Sequence, residues 1–129
     1  MSRLVTVADV RHLGASFHAA ALLSLEPAPG EPWSPWPAEL PLSELREARG
    51  DVSALSKAAV AEALRVDRSN YARWSAGGPV SVEQVREWMA RWSSIARPLV
   101  LLVGPDGTAV VAPRWRLAEA LAAVGLGAP

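Results

Sequence analysis

Four side chains in one short stretch, Arg68, Ser69, Ala72 and Arg73, have the chemistry needed to read the edge of a base pair. At 100° per residue along a helix, Tyr71 and Trp74 define one side of the stretch, and these four fall on the opposite side. An arginine fork can engage guanine bidentately, a serine hydroxyl can bond either edge, and the Ala72 methyl can meet a thymine methyl. Asn70, the only asparagine of the chain, projects from the flank, where a phosphate contact is preferred over an adenine. Lys57, the only lysine, stands at the exposed start of the preceding helix, where its charge and the free N–H groups suit a phosphate. The loop of Gly77 and Gly78 offers further backbone amides to the same backbone.

Other chemistries find no footing in the sequence. No nucleophile stands with a base, no carboxylate pair lies in a plausible cleft, and no glycine loop is built to cradle a phosphate, so neither a catalytic residue nor a cofactor is expected. His12 and His18 are six apart, on different helix faces, and no third ligand accompanies them, so no metal site is expected and both take ordinary surface or core roles. With no cysteine, disulfides and thiolate chemistry are excluded, and a cytoplasmic setting is favoured.

The elements that must position these residues follow from caps and periodicity. Ser56 caps a helix through Leu64, and Asp67 caps a second through Ser75, stopped by Gly77, Gly78 and Pro79. Ser81, reinforced by Gln84, starts a third, with Val82, Val85, Trp88, Met89 and Trp92 as one apolar stripe. Ahead of them Leu42 to Arg49 reads as a short helix capped by Ser43 and ended by Gly50. An N-terminal helix is predicted over Ala8 to Leu25, capped by Thr6, with Val7, Val10, Leu13, Phe17, Ala21 and Leu25 in register. Gly14 inside that helix costs about 1 kcal/mol against Ala.

Between Pro27 and Pro41 six of fifteen residues are proline, which excludes a helix or a central strand. Trp33 and Trp36 in this loop pin it to the domain's own core or, as the alternative, offer a proline-rich ligand to a protein partner. At the other end Leu99 to Val103 and Thr108 to Ala112 flank Gly104-Pro105-Asp106-Gly107, a hairpin signal. Its first strand is apolar on both faces. A helix over Pro113 to Val124, with Leu117, Leu121 and Val124 inward, covers one face, and a partner subunit is the natural cover for the other.

These readings give a mainly α fold with a C-terminal β-hairpin: an N-terminal helix over 1–26, a proline-rich loop or linker over 27–41, a helical domain of about four helices over 42–97, and a hairpin-helix extension over 98–129. Thirteen basic and thirteen acidic groups cancel, so no global attraction to nucleic acid or membrane follows from composition. No apolar run approaches the roughly 20 residues of a membrane-spanning helix. Twelve of the thirteen basic residues are arginine, a bias that, with abundant Ala and Pro, suggests a GC-rich bacterial or phage genome.

The run Leu55-Ser56-Lys57-Ala58-Ala59-Val60-Ala61-Glu62-Ala63-Leu64-Arg65-Val66-Asp67-Arg68-Ser69-Asn70-Tyr71-Ala72-Arg73-Trp74-Ser75-Ala76-Gly77 resembles the helix-turn-helix of the Cro and lambda-repressor-like (XRE) family. Small Ala61 lies where the two helices touch, Val60 and Leu64 face the core, Val66 plugs the turn, and Tyr71 and Trp74 anchor the second helix. With the flanking helices the resemblance covers about Pro41 to Arg97. It implies a double-stranded DNA partner, with Arg68, Ser69, Ala72 and Arg73 toward the bases and the helix N-terminus at Lys57 against the backbone. Two departures stand out. Arg65 occupies a turn position that usually holds Gly because it tends to need positive φ, and the link over Asp51 to Leu55 is longer than usual.

The function that follows is a sequence-specific transcriptional regulator, expected as a homodimer joined through the hairpin around Leu99 to Ala112. A phage DNA-packaging or recombination accessory protein is one alternative, and a protein-interaction module with a degenerate helix-turn-helix is another.

Overall fold

Two side-chain caps set the frame of the helical region. The Asp67 backbone is extended and its Oδ2 accepts from the Asn70 N–H at 3.2 Å, which satisfies one of the free donors at a helix start. Ser81 does the same for the Gln84 N–H at 3.0 Å. A computed structural model describes residues 10–25, 57–94, 98–105 and 107–125. Within them lie a 3₁₀ turn at Val10–His12, α1 (Leu13–Leu23), α2 (Lys57–Leu64), α3 (Arg68–Ser75), α4 (Val82–Ser93), β1 (Leu99–Val103), β2 (Ala109–Pro113), a second 3₁₀ turn at Arg114–Arg116 and α5 (Leu117–Ala123). The fold is mainly helical with one small antiparallel hairpin near the C-terminus. The helix expected at Leu42 to Arg49 and the loop with Trp33 and Trp36 lie outside the described residues.

Both α2 and α3 end in the same way. The Arg65 N–H donates to the Glu62 carbonyl and the Val66 N–H to the Ala61 carbonyl, a pair of bonds that closes a helix around a residue of positive φ. Arg65 takes that conformation at φ 60°. One helix later Gly77, at φ 114°, plays the same part, with its own N–H on the Trp74 carbonyl and that of Gly78 on the Arg73 carbonyl. The turn thus has the backbone that a glycine usually supplies, built here on an arginine.

The main core collects α1, α2, α3, α4 and the hairpin around one aromatic cluster. Trp88 sits at its centre, with the Phe17 ring at 5.4 Å, Tyr71 at 5.3 Å and Trp74 at 5.4 Å. As the stripe predicts, Val85, Trp88 and Trp92 are buried, and Val82 and Met89 pack partly buried against them. Arg91, outside the stripe, donates from Nη1 to the Leu64 carbonyl at 2.7 Å and pairs with Glu87, which ties the end of α2 to α4.

α1 is buried on nearly every side, at Leu13, Gly14, Ser16, Phe17, Ala20, Ala21 and Leu23. It packs against β2, α3 and α4 together, so a single-stripe reading captures only part of its contacts. Val10, predicted inward, is 41 % exposed because the chain there turns as a 3₁₀ segment rather than an α-helix. The placement of α1 also corrects the expected partner-subunit cover over the hairpin. All five residues of β2 are buried, with Ala109 and Val111 in the α1 core and Val110 and Ala112 under α5. The Ser16 hydroxyl accepts from the Val111 N–H at 2.9 Å, taking the place of a neighbouring strand.

The hairpin register pairs Leu99 with Pro113 and Val103 with Ala109, and the second strand lies one residue later than the run predicted over Thr108 to Ala112. At the C-terminus the predicted inward face holds at Val124 but not at Leu117. Ala120 and Val124 are buried against β2, Leu121 is half-buried, and Leu117 is 41 % exposed. The 3₁₀ turn ahead of α5 winds three residues per turn rather than 3.6, which rotates the helix relative to a single continuous one.

Candidate nucleic-acid interface

The eight-residue helix α3 has a sharply divided surface. Tyr71 and Ser75 are buried and Trp74 is half-buried, while Arg68, Ser69, Ala72 and Arg73 are exposed. The side that sequence spacing marked as outward is therefore outward in the fold. Packing dictates this division: Tyr71 meets Phe17 edge-on at 6.4 Å, and Trp74 tilts onto Trp88.

Beneath α3 the Tyr71 hydroxyl shares a 2.8 Å hydrogen bond with His18 Nδ1 from α1. Burial raises the phenol well above its usual range. Burial, with a smaller push from the Lys57 charge, lowers His18 to about 4, so the pair stays neutral at physiological pH. Neither group is poised for proton transfer to a ligand. They fix α3 on α1, the structural role expected of His18.

Lys57 is exposed at the first residue of α2, the position expected of it. Asn70 is half-buried, and its Oδ1 accepts from Arg73 Nη2 at 3.0 Å, which leaves the side-chain NH₂ and one lone pair of Oδ1. The Arg73 guanidinium also lies 5.7 Å from the Trp74 ring. The fold thus brings Asn70, Arg73 and Trp74 together on one turn of helix. Gly77 and Gly78 need a correction. Both N–H groups are spent on capping the last carbonyls of α3, so neither is free to meet a phosphate.

Two residues of this region have roles that the sequence did not assign, although Arg65 was marked there as a departure from glycine. Arg65 is exposed at the turn that leads into α3 and adds a cation beside the helix start. Arg91 holds the end of α2 in place, a role with no local signature because its partner Leu64 is 27 positions away. Among the described residues no group of three His, Asp or Glu could hold a metal ion, and no helix is long and apolar enough to cross a membrane. Comparison with protein-family models, with curated proteins and with solved structures finds no match.

Proposed function

We propose that this chain is a sequence-specific DNA-binding regulator of the helix-turn-helix type, which sets α3 in the major groove and the start of α2 against the sugar-phosphate backbone. One observation carries the reading. Two eight-residue helices are joined by a three-residue turn at whose first position Arg65 takes positive φ, and the second helix buries Tyr71 while exposing Arg68, Ser69, Ala72 and Arg73. Arg68 and Arg73 serve as base readers and Lys57 as a phosphate contact. With zero net charge, affinity depends on local placement of these cations rather than on a general field.

The reading includes a homodimer that presents two recognition helices about 34 Å apart to a palindromic site. The outer edge of β1 is the surface we assign to it. Bonds from Gly104 N–H to the Thr108 carbonyl and from Arg114 N–H to the Pro98 carbonyl set the hairpin phase, so the backbone groups of Leu101 point away from β2. Among the described residues β1 pairs only with β2.

Selection of bound sequences from random DNA tests the assignment. Arg68→Ala and Arg73→Ala are expected to lose preference for the selected site, each by roughly 1 to 3 kcal/mol, whereas Lys57→Ala weakens binding to all sequences and flattens its salt dependence. Unchanged selectivity in both arginine variants overturns base reading. Absence of binding at low salt turns the reading toward a protein-interaction module. In solution, a mass of many subunits rather than twice the 13.7 kDa chain turns it toward a packaging or recombination accessory protein.

A further inference from the structure

We propose that Asn70 is a positioning residue for Arg73, and that the two act as one recognition unit selective for a G·C base pair. The inference rests on the assignment of α3 as the base-reading helix and narrows it to a base. An exposed arginine normally samples many rotamers and gives up that freedom when it is fixed on a ligand. Arg73 is exposed yet held on three sides. Its Nη2 donates to Asn70 Oδ1 at 3.0 Å, its guanidinium lies 5.7 Å from the Trp74 ring, and its stem runs so close to Gly78 that a Cβ there would approach Arg73 Cγ to 3.1 Å.

The groups that hold it are themselves held. The Asn70 N–H bonds the Asp67 carboxylate, and the Trp74 ring leans on buried Trp88 at 5.4 Å. Arg68, the other candidate reader, has no comparable hydrogen bond or ion pair among the described residues. Arg73 is therefore the reader oriented before binding, and part of its ordering cost is met in the free protein.

The same bond decides which base is read. A bidentate asparagine contact to adenine needs Oδ1 as an acceptor for the N6 amino group. Here one of the two lone pairs of Oδ1 is taken by Arg73, so an adenine amino group would have to share that oxygen with a cation. The guanidinium keeps its remaining N–H groups, which match the O6 and N7 acceptors of guanine. Asn70 is thus better placed to orient a guanine reader than to read adenine itself.

The test compares Asn70→Ala, Arg73→Ala, the double variant and Asn70→Asp on the site selected by the full chain, and measures discrimination at each base pair. Asn70→Ala is expected to reduce discrimination about fivefold or more at the base pair that Arg73→Ala relaxes, and that base is guanine. Adding Asn70→Ala to Arg73→Ala is expected to change it by less than about twofold, because the two substitutions remove one unit. Asn70→Asp keeps an acceptor for the guanidinium, so it is expected to retain the preference while its negative charge weakens affinity for every sequence.

Three outcomes overturn the proposal: uniform weakening by Asn70→Ala, relaxation of a different base pair by Asn70→Ala, or a selected base other than guanine. If Arg73→Ala itself leaves selectivity intact, base reading by Arg73 fails, and the proposal falls with it. That result is visible without any Asn70 variant, so the two failures are distinguishable. Thermal unfolding of Asn70→Ala provides the control for folding, since the capping bond to Asp67 comes from the backbone N–H and survives the substitution.

Discussion

His18 shows how a residue beneath the exposed face of α3 can govern the platform that carries that face. Its imidazole is partly buried, bonded to Tyr71 and lowered to about 4, chiefly by burial and secondarily by the Lys57 charge. In the unfolded chain an imidazole titrates near 6.5. As pH falls from about 6.5 to 4, the unfolded state takes up a proton that the folded state refuses, so stability falls across that window, by up to about 3 kcal/mol in total. Denaturant unfolding measured at intervals between pH 7 and 4 checks this. A His18→Gln variant is expected to flatten the profile, and an unchanged profile removes His18 as the cause. The imidazole could be read from sequence as an ordinary structural group. Its bond to a tyrosine 53 positions away could not, because only the docking of α1 on α3 brings the two together.

Among the elements, the turn between α2 and α3 was the most legible and also carries the clearest strain. Caps at Asp67 and Ser81 and the stops at Leu64 and Ser75 follow from local chemistry and lie where the sequence puts them. Arg65 was marked by its departure from glycine, and the fold keeps the positive φ at 60° rather than relaxing the turn. Such a conformation costs a non-glycine residue about 1 to 2 kcal/mol, partly offset because glycine loses more freedom on folding. Arg65→Gly is expected to stabilise the chain by up to about 1 kcal/mol, read as a higher urea midpoint with an unchanged slope. Arg65→Val is expected to destabilise it by at least about 1 kcal/mol, since a branched Cβ suits positive φ least. A loss of stability in Arg65→Gly would mean that the arginine side chain supports the fold by contacts that outweigh its strain. Elements that depend on distant neighbours were less legible. The face of α5 was set by the 3₁₀ turn before it, and the cover of the hairpin by a helix some 90 residues upstream.

At the scale of the whole molecule, α1 joins α3 to the hairpin, and Gly14 is the point where this can be tested. A glycine inside a helix reads as a weakness, and on propensity alone Gly14→Ala should stabilise by about 1 kcal/mol. The fold gives the opposite sign. A Cβ built on Gly14 would overlap the backbone carbonyl of Trp74, an atom in the last turn of α3 that cannot swing aside as a flexible side chain can. To accept the methyl, α1 must move off α3. The Phe17 contacts with Tyr71 and Trp88, the His18 bond to Tyr71 and the Ser16 bond to β2 all lie on the same helix within four positions. Overpacking of this kind costs about 1 to 3 kcal/mol, so Gly14→Ala is expected to destabilise despite its better helix propensity. Because one core spans both ends of α1, tryptophan fluorescence and backbone circular dichroism are expected to report a single transition, shifted to lower temperature by the same amount. A stabilised variant would show that α1 does not approach α3 closely. Two separated transitions would show that the hairpin and α3 fold as independent units, and the region that positions Arg68 and Arg73 would then owe little to the N-terminal helix.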